Sequence, residues 1–185
     1  MTDNNKNRKE KTVETKQSFL ANAISDISAY IQLIDTKVSI IMAAAVAVLV
    51  GIIACYEPIE KAVSNMIPCS WTSVLFIISV TLGFVSIILM FLFGNLTIRS
   101  HYCKIDYTSN WFLSKSIKEY SFDEFSNDID KMTDEDIIKN MSAELYKLND
   151  INRQKMKTMK WTLLFFSIFL VTIAIIVILF LLNTI

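Results

Sequence analysis

The chain has 185 residues, 53% of them apolar, with 18 basic and 18 acidic side chains and a net charge of zero. Only three Gly and two Pro occur, which excludes a collagen-like repeat, a disordered tail protein and a turn-rich sandwich or barrel. Mean hydropathy is +0.43, and the apolar residues gather in three stretches free of charge: Val38–Tyr56, Ala62–Ile98 and Trp161–Ile185. Each holds about 20 residues for a hydrocarbon core about 30 Å thick, at 1.5 Å per residue. The sequence therefore predicts an all-α membrane protein with three transmembrane helices, over about 38–56, 71–93 and 161–182.

Residues 1–17 are polar and aperiodic and are expected to form a disordered arm, leaving 18–185 as a single helical membrane domain. From Ser18 the pattern changes. Phe19, Leu20, Ala23, Ile24, Ile27, Tyr30, Ile31 and Ile34 recur at helical spacing. No Gly or Pro separates them from the first span, so one helix is expected from about Ser18 to Tyr56, projecting beyond the membrane. The mostly polar stretch before that span argues against a cleaved signal peptide. Residues 57–70 form a short loop, and the second span is expected to continue past Arg99 toward Trp111. Residues 119–132 read as an acidic connection dotted with aromatics. Thr133-Asp134-Glu135-Asp136 fits a capping box. After it, Ile138, Met141, Leu145, Leu148, Met156 and Met159 form an apolar stripe, widened by Ile137 and Ile151, which runs unbroken into the third span. The first and third helices thus predict a parallel, coiled-coil-like stalk continuous with their spans.

Charge sets the expected orientation. Lys and Arg number six in 1–37, one in 57–70 and eleven in 95–160. The positive-inside bias places the N-terminus, residues 18–37 and 95–160 in the cytoplasm, and the C-terminus outside. Tyr56 and Trp71 would mark the outer interface, and Trp161 the inner one. Acidic residues number five in 1–37 and eleven in 95–160, so neither cytoplasmic piece carries the basic excess of a nucleic-acid-binding surface.

The inventory for catalysis is thin. His101 is the single histidine, and Cys55, Cys69 and Cys103 are the only cysteines. No nucleophile elbow or Gly-rich phosphate loop occurs, and His101 with Cys103 supplies two soft ligands where zinc needs three or four. No enzyme class, metal or cofactor is expected. Cys55 and Cys69 flank the outer loop as a disulfide pair in an oxidising compartment, or as two free thiols. Ser39, Ala43, Ala47 and Gly51 recur every four residues along the first span, the small-xxx-small pattern that lets helices approach closely in lipid. Two uses stand open: seating the span against its own neighbours, or self-association. Ser79 and Gly83 echo the pattern in the second span. In the third span Phe165, Phe166, Phe169 and Phe180 suit lipid contact. Asp35 lies one turn from hydrocarbon and needs a partner, for which Arg99 and Lys104 are the candidates.

Here a resemblance emerges. The lead-in Ile-Asp-Thr-Lys-Val-Ser-Ile-Ile-Met over 34–42 is similar to the D-x-K-A pattern of the Pycsar effector transmembrane family (PycTM), with Val38 where the family usually has Ala. The later segment Asp134-Glu135-Asp136-Ile137-Ile138, Met141, Glu144-Leu145, Leu148, Ile151, Lys155 and Lys157 resembles that family's second half, so the likeness spans roughly Ser18 to Leu182. The resemblance implies a bacterial antiphage effector of the inner membrane, a homo-oligomer without catalytic residues. It would answer a cyclic mononucleotide, cyclic UMP or cyclic CMP, made by a companion cyclase.

A ligand with one negative charge needs a cation and a base reader. The candidates at the inner mouth are Lys37, Arg99 and Lys104, with Tyr30 or Tyr102 for stacking and Asp35 beside them. The alternative reading is a non-enzymatic anchor whose stripe over Ile138–Leu148 docks a partner protein.

Overall fold

The computed structural model describes residues 2–64, 70–99 and 121–184. Among them every regular element is a helix: α1 Thr2–Ala54, α2 Tyr56–Ser64, α3 Trp71–Ile98, α4 Phe122–Asp130 and α5 Asp134–Thr184. The all-α class and the long first and third helices are as expected. Helices α1, α3 and α5 are long and apolar enough to cross a membrane, which gives a multi-pass membrane architecture.

Several boundaries differ from the sequence reading. Helix α1 begins at Thr2 rather than near Ser18, since no Gly or Pro occurs before Gly51. Its end at Ala54 has a covalent cause: Pro58, four residues on, has no N–H to offer the Ala54 carbonyl. Cys55 N still donates to Gly51 O at 3.1 Å and Ile59 N to Cys55 O at 3.2 Å, so the chain turns into α2 with little loss. Of the loop expected over 57–70, the part up to Ser64 is thus helical, and residues 65–69 lie outside the described residues. Helix α3 stops at Ile98 instead of running past Arg99, whose φ of −57° and ψ of 145° leave the helical region; no residue type at that point signals the stop. The connection over 119–132 holds α4. Its start carries a signature that the sequence reading passed over, Ser121 with Glu124 three residues later, and the structure shows the complete capping box. At α5 the expected box forms. Asp136 N donates to Thr133 Oγ1 at 3.3 Å, and Thr133 N and Oγ1 donate to Asp136 Oδ2 at 3.1 and 2.6 Å.

The shielded residues of each long helix repeat in alternating steps of four and three, the spacing of a left-handed coiled coil. On α1 they run Val13, Gln17, Leu20, Ile24, Ile27, Ile31, Ile34, Val38, Ile41, Ala45, Val48, none of them exposed. On α3 they run Thr72, Phe76, Ser79, Gly83, Ser86, Met90, Phe93, Thr97. On α5 the same steps lead from Ile137 through Met141, Glu144, Leu148, Ile151, Lys155, Thr158, Thr162, Phe165, Phe169 and Thr172 to Leu179.

The chain divides into two compact units, Met1–Gln32 with Ser100–Arg153, and Leu33–Arg99 with Gln154–Ile185. In the first, Leu20 and Met141 are buried, and Thr15, Lys16, Phe19 and Leu20 of α1 face Ile138 and Ser142 of α5 across an open groove of about 460 Å³. Polar residues share the shielded side of α5 there: Asn140 and Lys147 are buried, with Lys147 Nζ 3.9 Å from Glu144 Oε2.

The second unit holds the spans. Ala45, Ile87, Met90 and Phe169 form its core, with Ile41, Val48, Phe165 and Phe166 packed against them. Phe93, Trp161 and Phe165 stack at centroid distances of 5.6 to 6.1 Å. The phenylalanines at 165, 166 and 169 therefore face inward, not toward lipid as expected. The outer faces carry Ile53, Phe84 and Leu182, each about two-thirds exposed or more. Lipid, being as apolar as these side chains, removes the penalty that water would impose.

Candidate functional site

In lipid, helices associate through close packing and polar ties rather than through the hydrophobic effect, so the residues that bring backbones together come first. The structure places them on α3. A Cβ on Gly83 would lie 3.0 Å from Thr172 Oγ1, and one on Gly94 only 2.8 Å from Met42 Sδ. A side chain at either position would make its neighbour shift, Met42 by its flexible end and Thr172 by a few tenths of an ångström. The stripe of Ser39, Ala43, Ala47 and Gly51 is exposed instead, and a Cβ on Gly51 would meet nothing within 4 Å. These four do not seat α1 against its own neighbours. Of the two uses open to them, the seating of α1 falls instead to Val38, Ile41 and Ala45, and the small residues used in packing form the α3 run that includes Ser79 and Gly83.

Polar ties cross the helices of the second unit. Lys155 Nζ contacts both carboxylate oxygens of Asp35, at 2.5 and 2.8 Å. The Lys155 side chain is 6% exposed and that of Asp35 34%. Three residues along α5, Thr158 Oγ1 lies 2.8 Å from Thr97 Oγ1 and itself donates to Lys155 O at 3.0 Å, leaving its lone pairs to accept from Thr97. Asp35 thus has the partner its position demanded, and among the described residues that partner is Lys155 of α5 rather than Arg99, while Lys104 lies outside the described residues. The signal for it lay in the repeat: Lys155 falls on the four-three steps of α5, and Asp35 adjoins the shielded Ile34 of α1.

Tyr30 is 62% exposed and belongs to the first unit. Lys37 and Arg99 are exposed residues of the second. Tyr102 and Lys104 lie outside the described residues, as do His101, Cys103 and Cys69. Cys55 is an exposed free thiol.

An ion pair and a hydroxyl tie on one helix hold an arrangement. They offer no nucleophile poised beside a base. Against this geometry the family comparison can be set: residues 19–182 match the Pycsar effector protein domain. No curated protein and no solved structure matches the chain. A match over nearly the whole length, on three spans of the expected order, places the chain in the Pycsar effector transmembrane family, as an antiphage membrane effector.

Proposed function

We propose that this effector is switched by a cyclic pyrimidine mononucleotide, cyclic UMP or cyclic CMP, to oligomerise and impair the bacterial inner membrane, and that the chain itself catalyses nothing. The observation carrying the reading is that α1 and α5 each run without a break from residues of the first unit into a membrane span. A change in one part of such a helix has a direct mechanical route to the rest. The ligand can shift the membrane state only as far as it binds two states differently, and assembly of copies is a natural second state. Support for assembly comes from the exposed small-residue stripe on α1, whose open space at Gly51 admits a second helix at close range. In this reading the N-terminus and residues 95–160 are cytoplasmic, where a nucleotide made in the cell meets the protein. Purified full-length protein in liposomes tests it: one cyclic pyrimidine nucleotide should release dye, and only from the side exposing the N-terminal unit. Silence across cyclic mononucleotides, with a stable co-purifying protein, would favour the anchor reading instead.

A further inference from the structure

Lys155 sits where a coiled-coil seam expects an apolar side chain, between Ile151 and Thr158 in the repeat, and is almost fully covered. A covered ammonium persists only with a counter-charge. Asp35 supplies it through both oxygens from the rim of the seam, where it keeps contact with solvent. The pair is lopsided: the cation is inside and the anion at the edge.

The hydroxyls of Thr162 and Thr172 further along α5 impose no such demand, because they return to their own helix, and Thr158 ties to α3 rather than to α1. Thr162 Oγ1 donates to Thr158 O at 3.2 Å, and Thr172 Oγ1 to Phe169 O at 2.7 Å. An apolar seam with self-satisfied hydroxyls tolerates a slide of one turn, about 5.4 Å. A charged seam residue does not, since one turn of slip strands Lys155 without Asp35. A polar residue at a single seam position is the best-attested way for parallel helices to fix their register.

We infer that Asp35–Lys155 is a register lock: it holds α1 against α5 in the resting second unit, and its rupture commits that unit to the membrane-active arrangement. The inference rests on the membrane-effector reading. Asp35 is the partner that can leave, being at the rim. Lys155 is then buried without a counter-charge, a condition relieved only by repacking, so the device has two states rather than a graded response.

The test uses full-length protein in liposomes without nucleotide, with Asp35→Asn, Lys155→Met, the exchange Asp35→Lys with Lys155→Asp, and the apolar pair Asp35→Leu with Lys155→Met. The apolar pair removes the lock without stranding a charge, so it stays informative if a single variant misfolds. Basal dye release should rise about tenfold in the single variants and the apolar pair, and return near the wild-type level in the exchange. With Cys55, Cys69 and Cys103 replaced by Ser, spin labels at Ile40→Cys and Leu164→Cys, both on exposed faces, should report a changed α1–α5 distance in the same variants and not in the exchange. Wild-type distances and leakage in the apolar pair would overturn the lock even if nucleotide still triggers the wild type. A shifted distance in a protein that no nucleotide triggers would keep the lock and remove the effector reading.

Discussion

Asp136 and Glu124 have the same task at two helix starts. The Thr133 hydroxyl, and after it the Thr133 N–H, hold the Asp136 carboxyl below its ordinary range. The Ser121 N–H and then its hydroxyl do the same for Glu124. A carboxyl whose folded value is depressed adds stability above its unfolded value and loses it as pH falls through the folded one. The first turn of α5 should therefore fray as pH drops below about 4, seen as a loss of amide protection over residues 137–140 relative to the intrinsic exchange rate at each pH, and Asp136→Asn should flatten that dependence. Glycines give a second prediction at this scale. Gly83→Leu forces a side chain into space already held by Thr172 and should destabilise the membrane unit by about 1–3 kcal/mol, measured by denaturation in mixed micelles. Gly51→Leu meets open space and should leave that unfolding midpoint unchanged or slightly raised, Leu being the better helix former.

Between elements, α5 is the common strut: it meets α1 through Asp35–Lys155 and α3 through Thr97–Thr158. Polar ties inside lipid are modest because the separated helices find other partners. Thr97→Val should weaken the unit by about 0.6 kcal/mol, and a double-mutant cycle with Thr158→Val should return most of that as coupling. The exposed stripe of α1 is the surface that the proposed assembly of copies would use. Ala47→Leu and Gly51→Leu should suppress growth arrest in cells while expression and folding persist, checked by cross-linking for loss of the oligomer. These variants are expected to separate the two kinds of packing: Gly83 lies against Thr172 within the fold, and Gly51, facing open space, tests the proposed assembly.

For the molecule as a whole, each span keeps large apolar side chains on its outer face, while small and hydroxyl-bearing residues join apolar ones on the seams of α3 and α5. An apolar outer face is what lipid as the solvent allows. A membrane unit built this way is held by fit and by polar ties. Reversing the protein's orientation in liposomes should abolish nucleotide-triggered leakage from added ligand while leaving the leakage of lock-broken variants intact, a comparison that separates sensing from membrane damage.

By itself the sequence determined the class, the number and order of spans, the capping box at Thr133 and the family likeness. These rest on local chemistry: uncharged runs of span length, a hydroxyl three residues before a carboxylate, the absence of breakers. It also held α4's box at Ser121, which was legible but unread. The partner of Asp35, the inward turn of Phe165 and Phe169, and the choice of α3 over α1 as the close-packing helix were decided by tertiary structure. Hydropathy could not show them, since in a membrane the lipid face and the core are equally apolar and amphipathicity loses its meaning there. What tells the faces apart is the four-three spacing of small and polar residues, Ser79, Gly83 and Ser86 on one helix and Lys155, Thr158 and Thr162 on another, and that spacing gains its sense only when the helices lie side by side.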